Sequence, residues 1–382
     1  MKMGSRTMES GSILSRVSFA EFLDQVQDGL YIVDSERTIV FWNSAAEELT
    51  GFSAEQMVGK RCMDPDALDH RTVSGESLCT DDTCPLARCM RSDVGGTVPQ
   101  LILMRTASGR PLPISLSVGP LHDRDGESIG AIALFRGMRE EYQQRKLAVE
   151  IQKRMITQGD FSRAGARVST LYRPVDEIGG DFLEAFFIDE RTLIATVADA
   201  TGHGISASLF TMVYKTLLHA AFASHREPAA VMGSINQGFL ETAGVDGFYI
   251  GACLVSYDTA ARTGRYSAAG HPRGLIFERS GPGHRLRESL NVQSLMLGMD
   301  EGTRFGEVAF TLPPGGFLLL CSDGMLEAPC VDGAQFGVGG MERFFASYTG
   351  RTPLPDLLSE IQRRSTFSPL GDDVSAILVS PE

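Results

Sequence analysis

The sequence has no uninterrupted run of about 18 apolar residues, the length a membrane-spanning helix needs. Its opening residues, MKMGSRTMESGS, carry no apolar leader core. A soluble, cytoplasmic chain with no membrane partner is therefore expected. A basic excess is also missing: 35 Lys and Arg stand against 48 Asp and Glu, a formal net charge of −13. That argues against gripping nucleic acid or anionic lipid through a general basic field. Seven cysteines, an odd number in a long chain without a leader, do not suggest a secreted disulfide framework. Nor is the paired CxxC pattern of zinc sites present. Cys62, Cys79, Cys84 and Cys89 are separated by sixteen, four and four residues.

What is present suits globular domains. At 382 residues two domains or more are expected, and 43% hydrophobic with 22% charged residues is ample for real cores. Residues 1–17 are polar and small and read as a flexible tail. From Ser18 an amphipathic helix carrying Phe19, Phe22, Leu23 and Val26 precedes strands at Gly29–Val33 and Thr38–Trp42. Asn43 suits the N-cap of a helix that Gly51 can end. Strand-like runs follow at Gln100–Thr106, Leu112–Val118 and Ser128–Arg136. Over 18–137 the residues GLYIVDSERTIVFWNSAAEELTGFSAEQMVGK resemble a PAS sensor domain. The resemblance implies the fold and leaves the ligand unknown.

Four of the seven cysteines, Cys62, Cys79, Cys84 and Cys89, fall inside this domain, the last two in CPLARC. Clustered thiolates bind soft metals, so a redox-sensing cluster, a metal and an iron–sulfur site all remain open. So does a plain set of reduced thiols in an insert. Residues 138–160 read as a helical linker, with Leu147, Ala148, Ile151 and Met155 on one apolar stripe. The stripe serves either to pair with a second copy, making a homodimer, or to dock on its own domain.

The second domain, 161–381, is organised around IGGDFLEAFFIDERTLIATVADATGHG. Two apolar runs, Phe182–Ile188 and Thr192–Ala198, flank Asp189-Glu190-Arg191, which reads as a hairpin. A fold about Glu190 sets Asp181 opposite Asp199. Opposed like charges are destabilising, so the pair calls for a proton or a cation. Solvated strand ends are the plainer alternative. Helices are expected at Ser206–Ala223, Pro228–Ala243, Met341–Ser347 and Leu354–Arg364. Strands are expected at Val168–Tyr172, Gly247–Tyr257, Arg262–Ala269, Arg304–Leu312 and Phe317–Ser322, with a last one after Asp372-Asp373. The class is α+β, with helices covering antiparallel sheets.

Asp181, Asp199, Asp323 and the Asp372/Asp373 pair are acidic strand ends. Oxygen-only sites suit hard cations such as Mg²⁺ or Mn²⁺. In order, IGGDFLEAF, VADATGHGISASL, AAGHP, CSDGMLEA and GDDVSAILV resemble the SpoIIE-like branch of the PPM/PP2C phosphatases, over about 167–380. The resemblance implies a metal-dependent serine/threonine phosphatase on an αββα sandwich. Asp181 would bridge two Mn²⁺ or Mg²⁺ ions, while Asp199 and the Ala200 carbonyl would each serve one. Asp323 and one of Asp372 and Asp373 would complete the site, Asp372 being favoured. Catalysis would fall to Asp181 and Asp199 through the water they help activate. The substrate implied is a phosphorylated STAS-type anti-sigma-factor antagonist, in a sensor-controlled partner-switching pathway. Glu184 stands where the family commonly has Asp, and VADATG replaces a more usual GDVSG; both changes neighbour the ligands and spare them. His203 and His271 read as turn residues. A non-catalytic module that docks partners is the rival reading.

Overall fold

The computed structural model describes residues 18–98, 101–157, 159–202, 204–244, 247–366 and 370–382. The tail at 1–17 and His203 lie outside the described residues. The chain divides into two compact units, Met1–Arg145 and Lys146–Glu382.

The first unit contains α1 (Phe19–Asp24), β1 (Gly29–Asp34), β2 (Ile39–Trp42), α2 (Ser44–Thr50) and α3 (Ala54–Met57). It continues through β3 (Arg71–Thr72), α4 (Pro85–Ser92), β4 (Gly96–Thr97), β5 (Ile102–Arg105), β6 (Pro111–His122) and β7 (Ser128–Gly137). The strands form one antiparallel sheet in the order β2-β1-β7-β6-β5-β3, with β4 on β6. Asn43 shows why the chain turns where it does. Its Oδ1 accepts from Ala46 N at 2.9 Å and Leu30 N at 2.8 Å, and its amide donates to Val26 O and Asp28 O. One buried side chain thus caps α2 and satisfies four backbone groups that would otherwise be unpaired. Gly51 ends the helix at φ 75°. Of the expected α1 stripe only Leu23 is buried, leaving Phe19 and Phe22 exposed.

Helix α5 (Arg139–Met155) runs through the division between the units. The second unit then follows with β8 (Phe161–Arg163), β9 (Ala166–Arg173), β10 (Asp181–Phe187), β11 (Thr192–Ala200), α6 (Gly204–Phe222) and α7 (Pro228–Ala243). Next come β12 (Ile250–Asp258), β13 (Thr263–Ala269), β14 (Gly274–Ser280), β15 (Gly283–Leu290), β16 (Val308–Thr311) and β17 (Phe317–Cys321). The chain closes with α8 (Asp323–Leu326), α9 (Gly337–Ser347), α10 (Pro353–Arg364) and β18 (Val374–Pro381). A five-stranded sheet, β10-β11-β12-β13-β16, packs on a six-stranded one, β15-β14-β17-β18-β9-β8.

Two cores make four layers. Leu183, Val197 and Cys253 meet Ile276, Leu320 and Ile377 in a core that also takes in Tyr214 and Leu218 of α6 and Phe239 of α7. Leu275, Phe277 and Leu319 instead meet Phe345 of α9 and Ile361 of α10. The result is an αββα sandwich. Strand β18 is covered on both faces: Ile377 and Val379 enter the first core while Ala376 and Leu378 enter the second. That is why its middle, Ala376–Val379, is an unbroken apolar run. Each large side chain so buried contributes on the order of 1.5–3 kcal/mol.

Helix α6 is, by length and composition alone, apolar enough to span a membrane. Its apolarity has a local use, since Ala207, Tyr214, Leu218 and Phe222 are buried in the domain. The long strand expected at Arg304–Leu312 shrinks to β16, and the charged edge strand β15 was not expected.

Candidate metal centre

The hairpin of β10 and β11 has the register that a fold about Glu190 requires, from Asp181 opposite Asp199 to Phe187 opposite Leu193. Asp181 is 1% exposed, and its Oδ2 is buried with no hydrogen-bond partner. Burial, then the facing Asp199 and Asp373, hold its carboxyl well above the usual carboxylate range. The hydroxyls of Ser375 and Ser322 oppose that shift only in part. Asp199 is pushed up to about 7 by burial, then by Asp323, Asp372 and Asp373. Asp323, the first residue of α8, is raised by burial and then by Glu327. Asp372 is raised by burial, with Asp323 and Asp373 adding to it. The acidic strand ends foreseen in the sequence therefore act on one another, and a metal-free chain relieves the repulsion by holding protons.

Asp373 has a different task. Its Oδ1 accepts from Val175 N at 2.7 Å, and its Oδ2 accepts from Gly180 N at 2.6 Å and Asp181 N at 3.4 Å. It anchors the backbone that delivers Asp181. A Cβ on Gly179 would stand 2.5 Å from that Oδ2, so only glycine lets the loop approach. Ser322 stitches the next strand in place. Its N–H donates to Ser375 O at 2.9 Å, and its hydroxyl accepts from Ser375 N at 3.0 Å. The Ala200 N–H donates to Gly180 O at 3.3 Å, which brings the start of β10 beside the end of β11.

Among the described residues no three His, Cys, Asp or Glu side chains already converge as a metal cage. The carboxylates are gathered but not closed around a point. Even so, an all-oxygen donor set with an orphaned, buried Asp181 Oδ2 fits a hard divalent cation.

Two neighbours correct or extend the sequence reading. Glu184 does not neighbour the ligands as expected. It lies three residues from Asp181, so the strand turns it to the opposite face. There it accepts from Lys215 Nζ at 2.6 Å and pairs with His219 Nε2 at 3.0 Å. Lys215 Nζ also donates to Met155 O at 2.7 Å. Gln152 of α5 was missed as a site residue. It is 4% exposed, and its amide donates to Gly179 O at 2.7 Å and accepts from Gly179 N at 3.3 Å. Tyr172 OH donates to the same Gln152 oxygen at 3.2 Å. The signal that could have found it is a polar residue on the border of the linker's apolar stripe, four residues after Ala148 and three before Met155. His271 is held neutral, its pKa lowered to about 4 by burial, with Nδ1 at 3.1 Å from the Pro272 carbonyl. That suits a turn residue.

The family model described as stage II sporulation protein E (SpoIIE) matches residues 189–382. The chain belongs to the SpoIIE family. A PAS fold model matches residues 23–143, ahead of the SpoIIE domain. The SpoIIE match begins after Asp181, so the place of that residue rests on the hairpin register. Phosphoserine phosphatase RsbP of Bacillus subtilis is 28% identical over 185 residues, covering 48% of this chain and 45% of that protein. Protein IcfG of Synechocystis is 23% identical, covering 56% of this chain and 37% of that protein. The chain thus spans less than half the length of either relative. Among solved structures, the SiaA-PP2C domain of Pseudomonas aeruginosa is similar with a TM-score of 0.53 and 20% identity. It covers 64% of this chain and 97% of that domain, and it shares the PP2C fold.

Proposed function

We propose that this chain is a sensor-regulated, metal-dependent protein serine/threonine phosphatase. The observation that carries the reading is the opposed Asp181 and Asp199, with a buried Asp181 oxygen left without a partner. Similarity to a phosphoserine phosphatase supports the reaction class. Asp181 would bridge two Mn²⁺ or Mg²⁺ ions, and Asp199, Asp323, Asp372 and the Ala200 carbonyl would complete their shells. Asp372 is preferred to Asp373, whose oxygens already serve the 175–181 backbone. When bound, the ions supply a nucleophilic water and polarise the phosphoryl group. The chain's own residues do the rest. Asp373 and Gln152 fix the Gly179-Gly180 backbone so that Asp181 stays in the hairpin register. The raised affinity of Asp181 and Asp199 for protons is exchanged for cation binding, and water is excluded from one side of the site by the buried sheet.

The substrate we infer is a phosphoserine or phosphothreonine on a STAS-type anti-sigma-factor antagonist, by family likeness. No nucleic acid is expected as a partner. Leu147 and Ile151 on α5 are 59% and 42% exposed, which supports pairing of this helix in a homodimer.

The rival reading, a PPM-like module that docks partners without catalysis, draws on the carboxylates not being closed into a cage. The full chain with Mn²⁺ should hydrolyse p-nitrophenyl phosphate and a phosphoserine peptide. An inert protein whose melting point nevertheless rises with Mn²⁺ would favour the docking module.

A further inference from the structure

The six-stranded sheet carries a second concavity at the end away from the carboxylates. Asp323 follows the last residue of β17, and Asp372 precedes the first residue of β18. The concavity is lined instead by Phe317, which opens β17, and by Ser380 near the end of β18. From Val374 to Ser380 the strand runs six residues, about 20 Å. Arg167 near the start of β9 and Arg279 near the end of β14 line the same cavity, and Arg351 joins them from the connection between α9 and α10. Its volume is about 540 Å³, within the range of small-molecule sites.

The charge of this cavity runs against that of the chain. The formal net charge is −13, yet none of the lining residues is Asp or Glu. Arg167 lies 3.5 Å from Asp160, while Arg279 and Arg351 make no ion pair among the described residues. Two guanidinium charges without a carboxylate match one phosphate monoester, which carries about −1.5 to −2 at neutral pH. Gly315 joins this charge to the neighbouring imidazole. A Cβ there would lie 3.6 Å from Arg279 Cδ, and its carbonyl accepts from His284 Nε2 at 3.1 Å. With the proton on Nε2, Nδ1 is an acceptor, and it is buried without a partner. The cavity therefore has donors for an anion and one unfilled acceptor. An aromatic wall completes it. His284 meets Phe317 edge-on at 5.0 Å, Phe317 meets Phe345 at 4.8 Å, and the half-buried Tyr348 follows at 6.3 Å. The Tyr348 hydroxyl donates to Asp356 Oδ2 at 2.6 Å, which holds the ring in place.

We propose that this cavity binds a nucleoside monophosphate, with Arg279 and Arg351 on the phosphate and His284 Nδ1 accepting from an N–H or O–H of the nucleoside. A bare phosphate would leave most of the cavity empty, and an apolar ligand would leave both guanidiniums unmatched. A nucleotide supplies the charge, the donor and the ring that the aromatic wall takes. The site lies apart from the metal centre and does not rest on the phosphatase reading.

The test titrates AMP, GMP, CMP and UMP into the full chain in EDTA, so that no divalent ion recruits phosphate to the carboxylates. Calorimetry should give at least one Kd on the order of 10 μM, the scale expected for a ligand of this size. Inorganic phosphate should bind at least tenfold more weakly than that nucleotide. Arg279→Gln and Arg351→Gln should each weaken the nucleotide about tenfold, as loss of a hydrogen bond to a charged group does. His284→Phe keeps a ring against Phe317 and should weaken it about fivefold through loss of the acceptor. Arg287→Gln, on β15 and outside the cavity, should change nothing. Circular dichroism checks the fold of each variant, and photolabelling of the unaltered chain needs none of them. Azidoadenosine monophosphate should mark tryptic peptides 280–285 and 344–351, which carry His284 and Tyr348. Silence from all four nucleotides, even where a phosphoserine peptide binds, would overturn the proposal. So would equal affinity for inorganic phosphate, binding that survives both arginine changes, or a label confined to other peptides.

Discussion

The thiols around Tyr31 and the carboxylates around Asp181 are both buried groups that become anions by losing a proton. A thiol buried among thiols simply keeps its proton: Cys62 is pushed up to about 12 and Cys79 to about 11, so at neutral pH neither is charged. A carboxyl starts from a far lower value. Asp199 reaches only about 7, and so near neutrality the carboxylate cluster remains partly charged and repelling. The same burial leaves one cluster quiet and the other in need of a cation.

The sharpest way to break this comparison is Asp199→Asn, which removes one charge at constant size. Mn²⁺-supported turnover should fall by orders of magnitude, because a ligand of the activating ion is lost. Stability of the metal-free protein should hold level or rise by roughly 0.2–1 kcal/mol, the scale of an opposed like-charge pair. Cys62→Ser should leave turnover unchanged. Thermal melts in EDTA beside turnover of a phosphoserine peptide read both halves. A dead and badly destabilised Asp199→Asn would mean that the residue holds the hairpin by hydrogen bonds rather than straining it.

pH separates the two units next. In metal-free protein the folded Asp199 has its pKa raised from 3.8 to about 7. Its contribution to stability is full below the unfolded value and is lost as pH rises through about 7. Asp181 shifts in the same direction. His70 in the first unit goes the other way, lowered by burial from 6.5 to about 4. Its contribution is full above 6.5 and is lost as pH falls through about 4. Between pH 7 and 5 the C-terminal melting transition should therefore move up and the N-terminal one down. His271 and His284, both lowered by burial, work against the C-terminal gain, but the raised carboxyls of Asp181, Asp199, Asp323 and Asp372 outweigh them. Saturating Mn²⁺ should reverse the C-terminal slope, since ligands must be deprotonated. Calorimetry in which both transitions shift alike would remove the distinction.

A smaller effect comes from a buried polar group that is fully served. Gln152→Leu keeps the volume but leaves the Gly179 N–H and C=O without partners, at a cost of about 1–3 kcal/mol in chemical unfolding of the second unit. Leu147→Ala, on the exposed stripe, should cost much less in a dilute sample. Equal losses would show that the stripe is already covered.

The parts of this architecture that could be read from the sequence are those governed by local periodicity. The hairpin register followed from two apolar runs and a three-residue turn, and every pair from Asp181–Asp199 to Phe187–Leu193 obeys it. Asn43 and Gly51 were legible as caps for the same reason. What could not be read depends on distant backbone. The motif favours Asp372 over Asp373, but the task of Asp373 was not legible, because the 175–181 loop that it holds lies some 190 residues earlier. Strand β15 alternates charged residues along an open edge and has no apolar pattern to announce it. Gln152 was hidden because the stripe on α5 drew attention to its exposed face. Cys89 borders a cleft, with Leu78, Arg88 and Val118, that no other thiol lines. That separation was within reach, since α-helical rotation alone implies it once Pro85 marks the start of α4.

The smallest expected effect tests an unfilled donor directly. The Tyr31 hydroxyl is buried with no partner. A buried donor left unpaired costs free energy, and deleting it without changing the ring removes that cost. The ring itself does the packing, with Trp42 and Phe135 at centroid distances of 5.7 and 6.2 Å. Tyr31→Phe in fully reduced protein should therefore leave the N-terminal transition unchanged or raise it by up to about 1 kcal/mol. Thermal melts with and without the Tyr31→Phe change read the difference. If Tyr31→Phe is destabilising, the hydroxyl is already satisfied.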